Sequence, residues 1–142
     1  MQVRTILEEK GRQVITIVPS LTVQDAAKCL HDNHIGAVVI LDAENAIAGI
    51  LTERDIVSCI ARQGPACLDQ PVSNFMWTNV YCCSEDTSID HVMQMMSTLR
   101  ARHIPVEESA RIVGIISIGD VVKSRIRAIE QEAEHIKAYI AG

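Results

Sequence analysis

Aromatic residues, long apolar runs and an excess of positive charge are all scarce in this chain of 142 residues. Only 3% of the residues are aromatic, so the core has to be built from aliphatic side chains. No apolar run approaches the roughly 20 residues that a membrane-spanning helix needs, which indicates no membrane partner. The net charge of −5 argues against nucleic acid as a partner. The first residues lack the apolar stretch of a secretory signal peptide, so we expect a cytoplasmic protein.

Common catalytic motifs are missing as well. The chain has no P-loop, no HExxH motif and no Ser-His-Asp or Cys-His constellation, so we expect no enzyme activity and no catalytic cofactor. Its five cysteines show no disulfide-framework spacing and are interpreted as reduced, mostly buried residues without a metal site. An alternative is a thiol or metal sensor at Cys82 and Cys83 with a histidine such as His91. Adjacent residues of a strand point to opposite faces, which disfavours a shared ligand site there.

The chain contains an internal repeat. Residues 49–57, GILTERDIV, return as residues 114–122, GIISIGDVV, a step of 65 residues. Upstream of each copy, residues 23–30 and 89–96 carry apolar side chains at the i, i+3, i+4, i+7 spacing of a one-faced helix. Each half therefore predicts the order strand, helix, strand, strand, helix. The predicted strands are residues 14–18, 37–41 and 46–51 in the first half, and 80–83, 104–106 and 111–116 in the second.

The predicted fold class is α+β, with two repeats packed together and a long C-terminal helix. Each half alone would be marginally stable, so the halves are expected to share a core. The linker contains Gly64, Pro65 and Pro71, which break helices, and its Phe75 and Trp77 are expected to anchor it against the core. The predicted segments are an N-terminal extension 1–13, a repeat 14–61, a linker 62–77, a repeat 78–126 and a helical extension 127–142.

The last helix carries an apolar seam. It is predicted to run from Asp120 to about Ile140, and its apolar residues recur at alternating steps of four and three, an a/d pattern of about three heptads. The first turns are expected to pack on their own sheet, and the later turns to contact a second copy in a symmetric homodimer. The seam comprises Val122, Ile126, Ile129, Ala133, Ile136 and Ile140.

The repeated motif places a hydroxyl and a carboxylate three residues apart at each strand-to-helix corner. Thr52 with Asp55, and Ser117 with Asp120, fit a helix capping box that needs no ligand. A helix N-terminus also favours anions, and an aspartate there can accept both hydroxyls of a ribose. The two interpretations are compatible, so the corners are candidate binding sites as well as caps.

The element order, the Gly-h-h-[ST]-x-x-Asp corner (h, hydrophobic) and the RHIPV strand at 102–106 resemble tandem CBS domains, the pair called a Bateman module. The resemblance covers about residues 14–126 and is close to the small free-standing bacterial CBS-pair proteins. It implies two three-stranded sheets related by a pseudo-twofold axis, with two clefts between the repeats. It also implies binding of adenosine compounds (AMP, ADP, ATP, NAD(H) or S-adenosylmethionine), regulation of a partner protein, and no catalysis.

The resemblance further implies that each cleft combines the corner of one repeat with the first two strands of the other. The Asp55 cleft would contain Ile50, Thr52, Arg54, Asp55, Thr78, Tyr81, Ala101, Arg102 and His103. The Asp120 cleft would contain Ile15, Ile35, Gly36, Ala37, Ile115, Ser117, Gly119 and Asp120. Because Arg54, Arg102 and His103 would meet in the Asp55 cleft, phosphate-rich ligands are expected there. For the Asp120 cleft, only Lys10 or Arg12 is expected to supply a cation.

The leading functional prediction is a regulatory module that senses adenine nucleotides and signals to a partner protein that the sequence does not identify. One alternative is a structural dimerisation module with vestigial clefts. The sensor at Cys82 and Cys83 is another, and an enzyme acting on nucleotides is a third, which the missing catalytic motifs disfavour.

Overall fold

The computed structural model describes residues 1–141 and shows the repeat as two similar halves. The elements up to the end of the first repeat are α1 (Val3–Lys10), β1 (Thr16–Ile17), α2 (Val23–Asn33), β2 (Ala37–Leu41), β3 (Ile47–Thr52) and α3 (Glu53–Gln63). Two 3₁₀ turns, Pro65–Asp69 and Val72–Asn74, form the linker. The second repeat contains α4 (Ile89–Leu99), β4 (His103–Glu108), β5 (Arg111–Ser117) and α5 (Ile118–Ala141). The predicted α+β class is confirmed, and the predicted element order is found except for the first strand of the second repeat.

The first strand of each repeat is shorter than the sequence predicts. In the first sheet β1 runs parallel to β2 for two residues, and β2 pairs antiparallel with β3. In the second sheet β4 pairs antiparallel with β5, and the expected third strand is reduced to one parallel bridge between Cys83 and Val106. The reason is that Val18 and Tyr81, which made these segments look like strands, are each 55% exposed and face no core.

Helix α2 of the first repeat and helix α4 of the second begin and end at equivalent residues. Thr22 caps α2 and Ser88 caps α4, each accepting a backbone N–H three residues on. Both helices end at a residue in the left-handed conformation, His34 with φ 54° and Arg100 with φ 53°. Such C-terminal positions usually carry glycine, because a side chain makes this conformation costly. The repeat therefore extends to backbone geometry that the sequence does not display.

Each half is completed by the segment that leads into the other half. Although α1 precedes the first repeat, its Val3 and Leu7 are fully buried in the core of the second repeat. The linker residues Phe75 and Met76 pack against the core of the first repeat. An isolated helix of α1's length is unstable in water, so its burial against the second repeat is what forms it. The N-terminal segment thus belongs structurally to the second half.

The predicted C-terminal helix is confirmed as α5. Val121 and Ser124 in its first turns are buried, and these turns pack on α4 and β5. The seam is exposed, with Val122 at 50%, Ile129 at 60% and Ile140 at 78%. Within residues 1–141, no helix is long and apolar enough to cross a membrane.

Candidate ligand clefts at the repeated corners

Both repeated motifs form helix caps at the point where a strand becomes a helix. Thr52 Oγ1 accepts the N–H of Asp55, and Asp55 Oδ2 accepts the N–H of Thr52 at 2.8 Å. Ser117 and Asp120 make the same pair of bonds, at 3.1 and 2.9 Å. The capping interpretation is confirmed for both corners. The same bonds hold each carboxylate in a fixed orientation at the edge of its sheet.

Gly49 and Gly114, the glycines of the repeated motif, leave room for neighbouring segments to pass close to the two corners. The linker passes Gly49, and α1 passes Gly114. A β-carbon on Gly49 would lie 2.6 Å from Met76 Sδ and 2.8 Å from the carbonyl oxygen of Trp77. A β-carbon on Gly114 would lie 2.6 Å from Leu7 Cδ2. The glycine of the repeat is therefore explained by packing, since any side chain there would displace the linker or α1.

Trp77 lies over the Asp55 corner. Its backbone N–H and carbonyl both bond to Ile50 at 3.0 Å, and its indole Nε1 donates to Asp55 Oδ1 at 2.7 Å. The side chain is 63% exposed, so the expectation that Trp77 anchors the linker by burial is wrong. An indole N–H needs a polar partner, and the carboxylate supplies it at the surface. Of the two linker aromatics, Phe75 alone packs against the core.

Lys10 occupies the equivalent place over the Asp120 corner. Its Nζ donates to Asp120 Oδ2 at 2.7 Å and to the carbonyl of Ile115 at 2.9 Å. Burial acts to raise the pKa of Asp120, but the bonds from Lys10 and Ser117 more than offset it and lower that pKa overall. Within residues 1–141, both hydrogen bonds to this carboxylate reach Oδ2, which leaves Oδ1 open as an acceptor. The expectation that Lys10 reaches this corner agrees with the structure.

A cavity of about 500 Å³ lies where the starts of β2, β4, α3 and α5 meet. Gly36 leaves room for the imidazole of His103, since a β-carbon on Gly36 would lie 3.3 Å from its Nε2. Burial lowers the pKa of His103, and its Nδ1 is buried without a partner in the described part of the chain. The cavity is lined by Leu30, His31, His34, Ile35, Gly36, Glu53, Arg102, His103, Ser117, Ile118 and Gly119.

The cavity combines residues that were expected in different clefts. Ser117, Gly119, Ile35 and Gly36 were expected beside Asp120, whereas Arg102 and His103 were expected beside Asp55. His103 lies opposite Ser117 in the β4–β5 pairing, so the two line the cavity at the same corner. Neither Asp55 nor Asp120 lines this cavity, but Ser117, Ile118 and Gly119 of the Asp120 motif do, and Glu53 of the Asp55 motif does. Arg102 and His103 therefore lie beside the Ser117 corner, contrary to the expected distribution.

The other predicted site residues are spread around the corners. Ala37 and Ile50 are buried in their strands, Ile15 and Ile115 are partly buried, and Ala101 packs against the second core. Arg54, Thr78 and Tyr81 are exposed.

Five cavity residues, Leu30, His31, His34, Glu53 and Ile118, were not predicted as site residues from the sequence. Glu53 was detectable, because it lies between Thr52 and Arg54, which were both expected in a cleft. The histidines near the end of α2 carry no sequence signal of their own.

The cysteines are poorly suited to thiol sensing. Burial raises the pKa of Cys82 and of Cys83 to about 11, so both are protonated at neutral pH. The thiolate is the reactive form, which makes these two residues weak candidates for redox chemistry. Cys59 and Cys67 lie in the first core with their sulfur atoms 2.8 Å apart. Across residues 1–141, no group of three or more His, Cys, Asp or Glu side chains could hold a metal ion.

Comparison with known proteins gives consistent matches. The CBS domain family matches residues 6–62 and 72–127. The crystal structure of a CBS-domain containing protein from Agrobacterium tumefaciens is 48% identical, with a TM-score of 0.85 over 87% of this chain and 92% of that one. The structure of a "putative signal-transduction protein with CBS domains" from Burkholderia ambifaria is 35% identical. Its TM-score is 0.85 over 89% of this chain and 95% of that one.

Two further relatives extend the comparison. The CBS domain pair of protein MJ0100, crystallised with 5′-methylthioadenosine and S-adenosyl-L-methionine, is 28% identical, with a TM-score of 0.79 over 92% of this chain and 98% of that one. The mitochondrial CBS domain-containing protein CBSX3 of Arabidopsis thaliana is 34% identical over 85% of this chain, which spans 61% of that protein's length. These matches confirm the resemblance, and the chain belongs to the CBS-domain proteins, with two CBS domains in tandem.

Proposed function

We propose that this protein is a non-catalytic regulatory module that binds an adenosine compound at the Asp120 corner and signals to a partner protein in the cytoplasm. The observation that carries this proposal is the cavity of about 500 Å³ beside Ser117 and Gly119. That volume lies in the range typical of small-molecule sites. The ligands bound by the related domain pair, 5′-methylthioadenosine and S-adenosyl-L-methionine, are both adenosine compounds.

The chemistry of this corner suits a nucleotide with its ribose toward Asp120. The open Oδ1 of Asp120 accepts a ribose hydroxyl, while Lys10 and the Ser117 N–H stay on Oδ2. Arg102 and His103 line the cavity and supply donors for a phosphate or another anionic group. We propose AMP, ATP or NAD(H) as the ligand class, because Arg102 and His103 line the cavity and Lys10 is bound to Asp120 at the adjoining corner.

This assignment reverses the preference expected from the sequence, which favoured the Asp55 cleft for phosphates. Both oxygens of Asp55 already accept hydrogen bonds from Thr52 and Trp77. Asp120 retains an open oxygen, and three residues of its motif, Ser117, Ile118 and Gly119, line the cavity although Asp120 itself does not. The Asp120 corner is therefore the stronger candidate for the main site.

Thermal unfolding tests this proposal with AMP, ATP, NAD⁺, NADH and S-adenosylmethionine as probes. A ligand at about 100 times its Kd adds about 2.7 kcal/mol, a rise in Tm of several degrees. We expect that rise in the wild type and its loss in Asp120→Ala. Asp55→Ala is the matched control, because it removes the equivalent capping carboxylate and leaves the proposed main site intact. Absence of any rise with every probe would favour a structural dimerisation module instead.

We also propose that the protein is a homodimer through the seam of α5. The seam residues after the first turns are all exposed, including Ile126 at 52% and Ile136 at 54%. An a/d stripe of this length favours a second copy of the same helix as its cover. Sedimentation of Ile129→Glu should show a monomer, whereas Gln131→Glu, which adds the same charge off the seam, should remain a dimer. A dimer in both variants would place the interface elsewhere.

A further inference from the structure

The two clefts differ in their carboxylates. Both oxygens of Asp55 accept hydrogen bonds, one of them from Trp77, whereas only Oδ2 of Asp120 does so within residues 1–141. Asp55 Oδ2 accepts two bonds from Thr52, from the N–H at 2.8 Å and from Oγ1 at 2.9 Å. Its other oxygen accepts the indole N–H of Trp77 at 2.7 Å. A carboxylate oxygen accepts about two hydrogen bonds, so Oδ2 is saturated. An incoming hydroxyl therefore has to bind at Oδ1, where the indole already lies.

The backbone of Trp77 is fixed although its side chain is not. Two hydrogen bonds join its backbone to Ile50, and Met76 beside it packs tightly against Gly49. The indole, in contrast, is 63% exposed and reaches the carboxylate through one hydrogen bond. Side chains this exposed change rotamer on the picosecond-to-nanosecond timescale. The indole can therefore leave Asp55 without moving the linker.

We propose that Trp77 is a displaceable gate on the Asp55 cleft. Its indole N–H takes one of the two acceptor positions on Oδ1, so a ribose of an adenosine compound that binds there through both of its hydroxyls needs the side chain to swing away. This inference rests on the proposed function, because it assumes that the chain binds adenosine compounds. It makes the Asp55 cleft a second, weaker site, and its filling changes the position of an aromatic side chain at the surface.

Calorimetry of wild type, Trp77→Phe and Trp77→Ala, with AMP and S-adenosylmethionine as probes, tests the gate. Phe keeps an aromatic ring and lacks the N–H, whereas Ala removes the ring. We expect both variants to bind at the weaker site about tenfold more tightly, a change of about 1.4 kcal/mol, with the stronger site unchanged. If Trp77→Ala weakens binding while Trp77→Phe retains it, the indole is a stacking surface for the base and the gate is refuted.

Fluorescence supplies an independent measurement, because Trp77 is the only tryptophan of the chain. Without ligand, Asp55→Ala should increase quenching of its emission by acrylamide, and Asp120→Ala, which removes the equivalent cap, should not. In wild type the emission should change as the weaker site fills. Binding at one site with emission and both Trp77 variants unaffected would overturn the gate alone. No binding of either probe to any folded variant would overturn the proposed function and the gate together.

Discussion

Replacement of Lys10 by methionine should destabilise the protein through loss of one ion pair across the fold. Lys10 Nζ contacts Asp120 Oδ2 at 2.7 Å, and the two side chains are 33% and 21% exposed. Exposed pairs contribute about 0–1 kcal/mol, and removal of one member of a buried pair costs about 3–5 kcal/mol. This partly exposed pair lies between those cases, so we expect a loss of about 1–2 kcal/mol. At this chain length the loss corresponds to a fall in Tm of about 3–6 °C.

The effect should depend on pH with a defined sign. The pKa of Asp120 is lowered in the folded protein, because the bonds from Lys10 and Ser117 outweigh the effect of burial. A carboxyl with a lowered pKa stabilises the fold above its ordinary value of 3.8, and that contribution is lost as the pH falls through the folded value. The difference between wild type and Lys10→Met should therefore be full at neutral pH and should shrink below about pH 4.

Urea unfolding at neutral pH and below about pH 4 tests this prediction. Lys28→Met, on the exposed face of α2, is the matched control and should have little effect. Combining Lys10→Met with Asp120→Asn in a double-mutant cycle should give a coupling of about 1 kcal/mol. If Lys10→Met costs as much with Asn at position 120 as with Asp, its effect comes from the α1 packing and the ion-pair argument is refuted.

Three further predictions concern packing, backbone geometry and protonation. Alanine at Gly49 or Gly114 should lower the free energy of unfolding by about 1–3 kcal/mol, because the added β-carbon overpacks the site. Gly119→Ala is the control and should be tolerated, since its β-carbon would lie 3.6 Å from the nearest atom. Chemical unfolding compares the three variants. Arg100→Gly should raise stability by about 1 kcal/mol in the same assay, because glycine adopts the left-handed conformation without strain, and no gain would contradict the assignment. Because burial lowers the pKa of His103, the unfolded state binds more protons, so the free energy of unfolding should fall as the pH drops below about 6.5. His103→Gln should flatten this dependence, and an unchanged slope would assign it to other groups.

The regular elements were predictable because their signals are local. The apolar run at 37–41 and the one-faced patterns at 23–30 and 89–96 became β2, α2 and α4, with small changes at the ends. The first strands were overestimated, because apolar residues such as Val18 and Tyr81 lie at the surface. A short apolar run does not show whether a neighbouring strand continues beside it, so strand length depends on pairing that the pattern does not contain.

The site was predicted only in part, because its remaining contacts join residues far apart in the chain. The repeat identified Asp55, Asp120 and their capping hydroxyls, which are defined within four residues. It did not reveal that α1 belongs to the second core, since a helix of this length forms only against a partner. Lys10 was one of two cations expected at the Asp120 corner, but the Trp77 donor on Asp55 was not expected, because it depends on how the linker passes over that corner. Sequence spacing does not encode that crossing.

The Asp120 corner is joined to the proposed dimer seam by one rigid element. Asp120 lies in the first turn of α5, and the seam continues along the same helix to Ile140. A ligand at this corner changes the dimer equilibrium only if it binds monomer and dimer with different affinity. Any such coupling is reciprocal, so dimerisation would change ligand affinity by the same factor. Lys10 also connects this corner to α1, which packs in the second core and leads into β1 of the first repeat. The Asp55 corner, at the start of the much shorter α3, lacks that connection to the seam.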